Sequence, residues 1–248
     1  MNKYILVGAG GTGSHFIGPA LAYLKSYHSH NNEEWEFHIV DGDSFESKNL
    51  NRQMFDPSFV GINKAEALAS MFPQYPVIPV PKFIGAQDLT RLMEEEALVF
   101  IGADNFSIRA LIEAQALMMK NVIIINAGNE SHDGNVQLWV RRGGKNKTPR
   151  LSYCHPEIKY LNNEDRSTMT CAEVSQLPGG EQLIIANMAA AQHMLAALWR
   201  YHTGTWKTGW TELQFDLLQG NVDHIDMRQR KNWAASPRKS SRALVSTT

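Results

Sequence analysis

Tyr4-Ile5-Leu6-Val7-Gly8-Ala9-Gly10-Gly11-Thr12-Gly13 decides how this chain folds. A short apolar run that stops at Gly8 reads as a strand buried on both faces. Beyond the glycines, Phe16, Ile17, Ala20, Leu21 and Leu24 recur at helical spacing. Strand, glycine turn and helix, in that order, is the context a nucleotide-binding loop requires. The first glycine permits the tight turn, the next lets backbone approach phosphate, and the last lets helix pack on strand. Gly8, Gly10, Gly11 and Gly13 are therefore candidate nucleotide contacts, with the start of the helix offering N–H groups and a positive dipole end to an anion. The Lys-Ser or Lys-Thr pair of a P-loop is missing, so this is not that kind of NTPase.

Working outward, His28 to Asn32 reads as a polar break, and Phe37, Ile39 and Val40 as a second strand closing at Asp41. Gly42 to Ile62 is polar and turn-rich, and Asn63 caps a helix running to about Met71, with Glu66 at the capping-box position. Prolines 73, 76, 79 and 81 surround Val77-Ile78 and allow at best an edge strand. Leu98 to Ile101 is a buried strand, Asn105 to Lys120 a helix, Val122 to Ile125 another strand, and Asn135 to Val140 alternates as a strand does. Apolar, non-alternating strands separated by helices predict a doubly wound, Rossmann-like α/β sheet that is mostly parallel.

The second half is less regular. Gly143 to Asp165 is loop-like, and Glu181 to Tyr201 is a helix apolar on most faces, which predicts burial. Leu213, Phe215 and Leu217, then Val222 and Ile225, form a hairpin around Gln219-Gly220-Asn221, an added antiparallel β portion. Residues 1–227 read as one domain, with a nucleotide-binding half to about 126 and an elaborated half from 127 to 227. From Arg228 to Thr248 the chain is a basic, polar tail that reads as disordered.

Composition excludes several classes. Among 248 residues, 24 Lys and Arg face 25 Asp and Glu, a balance that speaks against nucleic-acid and membrane-surface proteins. Two cysteines rule out a disulfide scaffold and a four-cysteine zinc site. The first residues lack the apolar region of a signal peptide, and no apolar run reaches the roughly 18–20 residues that span a bilayer. A cytoplasmic protein is the expectation.

A dehydrogenase needs little beyond ribose recognition after its second strand. Here Asp41 and Asp43 are followed by Asn49, Arg52, Gln53 and Lys64, and later Asp104-Asn105 closes a strand with Arg109 one helical turn on. Carboxyl ends of strands converge on the ligand crevice of such a sheet. Two carboxylates, Asp41 and Asp104, with an arginine and a lysine describe a metal–nucleoside-triphosphate site, since Mg²⁺ prefers one or two carboxylates plus phosphate oxygens. Arg52 and Lys64 would neutralise charge on transferred phosphate. Taken singly, Arg52 and Lys64 also read as solvated charges, and Asp104 as a helix cap.

In order from Gly8 to Arg109, Gly-x-Gly-Gly-x-Gly, Asp-x-Asp, Asn-Leu-x-Arg-Gln, Gly-x-x-Lys and Asp-Asn-x-x-x-Arg resemble the ThiF/MoeB superfamily, the ubiquitin-activating-enzyme-like adenylyltransferases. The resemblance implies ATP and Mg²⁺ as cofactors. It implies Asp41 on the ribose, Asn49, Arg52, Gln53 and Lys64 on the triphosphate, and Asp104 on Mg²⁺. It further implies adenylation of the C-terminal carboxylate of a ubiquitin-like or sulfur-carrier protein ending in glycine, release of pyrophosphate, and a homodimer or heterodimer. Some relatives use a small molecule or tRNA instead. A non-catalytic family-like partner is the alternative reading, and an NAD-dependent oxidoreductase rests on the glycine loop alone.

Cys171, in Thr170-Cys171-Ala172-Glu173-Val174 before the long helix, is placed like the thioester-forming cysteine of some members. A thiolate there would attack the acyl-adenylate. Cys154, beside His155, reads as structural or incidental, and a metal site on Cys154, His155 and Cys171 lacks a fourth ligand. Two departures stand out. No structural zinc is expected, because two cysteines cannot supply the two Cys-x-x-Cys pairs many relatives carry. The chain also begins almost at its first strand, so the N-terminal helix whose arginine reaches a dimeric neighbour's ATP site is expected to be missing.

Overall fold

The computed structural model describes residues 2–159, 184–230 and 233. The first half builds β1 (Asn2–Val7), α1 (Gly11–Asn31), β2 (Trp35–Val40), α2 (Lys64–Met71), β3 (Val77–Val80), α3 (Ala86–Leu92), β4 (Leu98–Ile101), α4 (Phe106–Met118) and β5 (Val122–Asn129). Then follow β6 (Asp133–Arg142), β7 (Lys145–Asn146), α5 (Leu151–Cys154), α6 (Ile184–His202), β8 (Glu212–Asp216) and β9 (Asn221–Ile225). One sheet runs in the order β3-β2-β1-β4-β5-β6-β8-β9, with β7 on β6. Pairings from β3 to β5 are parallel, and those from β5 to β9 are antiparallel. The doubly wound sheet with an added antiparallel portion is thus the observed fold.

Its parallel strands are apolar throughout because both faces are covered. Tyr4 and Leu6 join a core with α1, α2 and α6, while Ile5 and Val7 point to a second core with α3, α4 and α5. β3 is the edge that its prolines require, with Ile78 exposed. The strand order reverses between β1 and β4, and that switch point opens the crevice where such sheets bind ligands.

Four expectations change. His28 does not break the helix, because α1 continues to Asn31 and ends at Asn32 in the left-handed region (φ 53°). α6 is not buried on most faces: Ala186, Ala190, Met194 and Leu198 face the core, whereas Ile185, Met188 and Trp199 are exposed. The Gly143–Asp165 stretch is not only loop, since it contains β7 and α5. Nor does ordered structure stop at Arg228, whose guanidinium pairs with Asp226 and donates to the carbonyls of Lys207 and Gly209, both at 2.7 Å. The remaining tail, residues 231–232 and 234–248, lies outside the described residues, as does Cys171 within 160–183.

His28 stays in the helix because it is buried in a hydrogen-bonded chain at the sheet end opposite the crevice. Tyr23 Oη lies 3.0 Å from His202 Nδ1, His202 Nε2 lies 3.2 Å from Tyr4 Oη, and Tyr4 Oη lies 2.8 Å from His28 Nε2. His28 Nδ1 is 3.1 Å from Glu33. One proton per contact satisfies every member if Tyr23 donates to His202, His202 to Tyr4, Tyr4 to His28 and His28 to Glu33, with both imidazoles neutral. Burial, reinforced by His28, pushes the His202 pKa down to about 4, and burial lowers His28 despite Glu33.

A lowered folded-state pKa means the unfolded chain binds protons first as pH falls. The stability these histidines contribute is therefore complete above their ordinary value near 6.5 and is lost from there down to about 4. Thermal unfolding should show Tm falling across that window, and His202→Gln should flatten the slope.

Candidate nucleotide-binding site

The glycines of the loop meet different neighbours. Gly8 has φ +98°, and a Cβ there would lie 2.6 Å from the Ala103 nitrogen at the end of β4. At Gly13 a Cβ would lie 2.0 Å from the Gly8 carbonyl oxygen, so α1 rests directly on β1. A Cβ on Gly11 would lie 2.5 Å from the carboxamide of Asn187. Gly10 alone looks into the open, where the atom nearest to a Cβ would be Gln53 Nε2 at 3.7 Å. No side chain caps α1 at Gly10, so its positive dipole end opens onto a cleft of about 1660 Å³.

Asp41 ends β2 in that cleft. Its Oδ2 accepts from the Ala9 N–H at 2.7 Å and its Oδ1 from the Asp43 N–H at 2.8 Å. Burial raises its pKa, against the pull of those N–H groups and of Lys64. Asn63 does more than cap α2. Its Oδ1 accepts from Ala65 N–H, while its Nδ2 donates to the carbonyls of Asp41 and Asp43. That clamp brings Lys64 back to Asp43, Nζ to Oδ2 at 3.1 Å.

Asn49 shapes the turn beyond. Its Oδ1 accepts from Glu46 N–H, and its carbonyl accepts from the N–H groups of Arg52 and Gln53. Arg52, Gln53 and Lys64 are all buried, which removes the reading of Arg52 and Lys64 as solvated charges. Gln53 Oε1 is buried without a hydrogen-bond partner, a polar atom left over beside the loop.

Across the cleft, Asn105 and not Asp104 caps α4, its Oδ1 accepting from Ser107 N–H at 2.8 Å. Asp104 is left exposed at the strand end, lining the cleft. Arg109 is a clasp for backbone: its Nη2 donates to the carbonyls of Ala103 and Ala127, both at 3.0 Å, tying together the ends of β4 and β5. Beside Asp41, exposed Phe83 rests on bare Gly42, and with Val40, Ile84 and Ile108 it forms an apolar wall.

The cleft is lined by charges of both signs. Arg52, Lys64, Lys48 and Lys82 stand with Asp41, Asp43, Glu46 and Asp104, whereas the second half of the chain contributes only the acidic Glu130, Asp133, Glu157, Asp216 and Asp223. His155 links the latter region to the core, 3.1 Å from Glu157 and 3.2 Å from buried Glu212. Burial disfavours its charged form, but the two carboxylates outweigh that and raise its pKa. Neighbouring Cys154 is a thiol pushed up to about 12 by burial and by Glu212, which suits a structural role better than a metal ligand. Among the described residues no group of three or more His, Cys, Asp or Glu is arranged to hold a metal.

Of the sequence-predicted residues, Gly8, Gly10, Gly11, Asp41, Asp43, Asn49, Arg52, Gln53, Lys64 and Asp104 line this one cleft. Gly13 lies behind it as packing, and Cys171 is outside the described residues. Asn187, Asn129 and the His155–Glu212 pair escaped sequence reasoning. The one available signal was Asn187, an amide near the start of an apolar helix whose only other amide is Gln192.

Fold and cleft define a Rossmann-type protein with a nucleotide-sized site at its topological switch point. The chain belongs to the ThiF family, whose pattern matches residues 1–235. Among solved structures it is similar to E. coli MccB with ATP (19% identity, TM-score 0.64, covering 96% of this chain and 66% of that one). It is equally similar to the microcin C7 biosynthetic enzyme MccB in complex with N-formylated MccA (19%, 0.64, 96% and 67%). PaaA shares the fold at 14% identity and TM-score 0.62, over 91% of this chain and 73% of that one. At such identities the likeness shows the fold alone, and the chain spans less than two thirds of MccB in its succinimide and ATP complexes (64% and 66%). No curated protein matches the sequence.

Lys64→Met tests one of the two buried cations. Its partner Asp43 is exposed and is left in water when the pair is removed, so folding should lose at most about 1 kcal/mol and Tm should move by only a few degrees. ATP affinity measured by calorimetry should fall at least about tenfold, as expected for losing a charged hydrogen bond.

Proposed function

We propose that this protein is an ATP-dependent adenylyltransferase that activates the C-terminal carboxylate of a peptide or small carrier protein. The observation that carries this reading is the convergence of buried Arg52 and Lys64, the glycine loop and exposed Asp104 on one cleft. Membership of the ThiF family supports it, as do the fold neighbours: MccB was solved with ATP and with MccA. A binding-only scaffold gains nothing from two buried cations beside an anion-binding helix end, and their desolvation costs several kcal/mol apiece.

Asp41 would hold the ribose and the Phe83 wall the base, leaving the phosphates along Gly10 and the start of α1. Asn49 would act mainly through the turn it shapes, which presents Arg52 and Gln53 to the triphosphate beside Lys64 and Asp43. An acceptor carboxylate oxygen attacks the α-phosphorus, the bond to the β-phosphate's bridging oxygen breaks, and pyrophosphate leaves with that electron pair. Arg52 and Lys64 stabilise the charge that builds on the phosphates. Asp104, with phosphate oxygens, fits Mg²⁺, which would supply further charge neutralisation.

The two buried cations orient the acceptor. Its carboxylate would be drawn to Lys64 and Arg52 and kept off Asp216 and Asp223, which leaves the rest of the tail on the β8–β9 side. Residues 127–227 thereby form the acceptor half, and a ubiquitin-like or sulfur-carrier protein ending in glycine fits as the partner. Transfer to Cys171 as a thioester, assembly as a homodimer and a cytoplasmic location belong to the same reading. No helix among the described residues is long and apolar enough to cross a membrane.

Exchange of labelled pyrophosphate into ATP tests the function, using a panel of peptides and small proteins with free C-terminal carboxylates and C-terminal amides as controls. Exchange should need the carboxylate, fall by about 10²-fold or more in Asp104→Ala, and persist in Cys171→Ala. Calorimetry showing no ATP binding would instead establish the scaffold reading.

A further inference from the structure

Gly11 is not required to be glycine by its own backbone. Its φ is not in the left-handed region, and it begins an ordinary helix in which any residue could stand. What forbids a side chain there is another part of the protein: a Cβ would lie 2.5 to 2.6 Å from the Nδ2, Cγ and Oδ1 atoms of Asn187. Asn187 is fully buried near the start of α6, which packs on α1 from the second half of the chain.

The carboxamide of Asn187 joins segments far apart in sequence. Its Nδ2 donates to the Arg52 carbonyl at 3.3 Å, and its Oδ1 accepts from Asn129 Nδ2 at 3.0 Å. Asn129 Oδ1 in turn accepts from Thr12 Oγ1 at 2.9 Å. The loop-and-helix start, the end of β5 and the backbone of Arg52 are thus set against one another through a single buried amide. Thr12, Asn129 and Arg52 all line the cleft.

Resting on the adenylyltransferase reading, we infer that Asn187 is a positioning residue for nucleotidyl transfer, fixing the Arg52 backbone relative to the phosphate loop, and that Gly11 is glycine to admit it. The Arg52 turn is an irregular segment, held from within by Asn49 and from outside by Asn187 and by His15, whose Nε2 lies 3.2 Å from the same carbonyl. Loosening it moves the guanidinium, and a displacement of about 1 Å at a reacting centre costs about 10²-fold in rate. Binding of base and ribose, on the Asp41 side, is left in place.

The test is a double-mutant cycle on Gly11→Ala and Asn187→Ala, read by steady-state exchange, by ATP calorimetry and by Tm. Asn187→Ala should lower kcat about tenfold or more while the KM and Kd for ATP stay within about threefold, the split expected when a transition-state interaction is lost. Asn187→Asp, which keeps the bond from Asn129 and loses the one to Arg52, should lower kcat as far. Gly11→Ala alone should be the most damaging in Tm and ATP affinity, and the double variant should return to the level of Asn187→Ala.

Equal damage from Gly11→Ala in both backgrounds would mean that phosphate, not Asn187, requires the glycine, and would overturn the inference. So would a lowered Tm in Asn187→Ala with kcat unchanged, which makes the residue packing only. If wild type binds ATP but exchanges with no acceptor, the adenylation reading fails by itself; coupling in Tm and Kd still tests the Gly11–Asn187 contact.

Discussion

Everything in the site depends on how closely α1 begins on the end of β1. With Gly13 facing the Gly8 carbonyl at a distance that admits no Cβ, the helix N-terminus is pressed onto the carboxyl edge of the sheet. The same approach carries the loop against Ala103, so the ends of β1 and β4 are neighbours at the point where the strand order reverses. Relaxing that contact would retract the dipole end from the crevice and separate Asp41 from the Ala9 N–H it accepts. The glycine pattern is therefore first a packing requirement, and only at Gly10 a space left for a ligand.

A second constraint follows from burying charge. Lys64 and Arg52 sit where water is scarce, a costly position unless the local structure holds them to a purpose. The support is visible in polar groups that serve backbone: Asn63 clamps the Asp41–Asp43 turn, Asn49 the Arg52 turn, and Arg109 the ends of β4 and β5. Two motif residues, Asn49 and Arg109, thus shape the walls of the cleft, with Asn63 as a third support beside Lys64. Asp104, relieved of capping by Asn105, is free to face it.

This division explains what could be read from sequence. The strands and the order of helices were legible because two-sided burial forces continuous apolar runs, and because glycine, proline and Asn63 punctuate them with few alternatives. The cleft's membership was legible because its polar residues are dense between Asp41 and Lys64, where no core demands them. Features that need a tertiary partner were not. His28 looks polar until Tyr4 and Glu33 are beside it. α6 looks buried all round because composition does not say which face has a neighbour, and Arg228 looks like tail until the carbonyls of Lys207 and Gly209 receive it.

The antiparallel extension gives the cleft its second wall. The parallel half contributes the glycine loop, with Arg52 and Lys64 beside Asp41, Asp43 and Asp104. β8 and β9 extend the sheet past β6 and hang Asp216 and Asp223 over the cleft, while Glu212, buried on the same hairpin, holds His155 and with it Glu157. Glu212 is buried at one end of β8 and Asp216 lines the cleft at the other, so one short strand both anchors the acidic wall and displays part of it. Under the proposed function, a different acceptor would require changes only at exposed positions of β8 and β9, away from the strand ends at which the phosphates would be held.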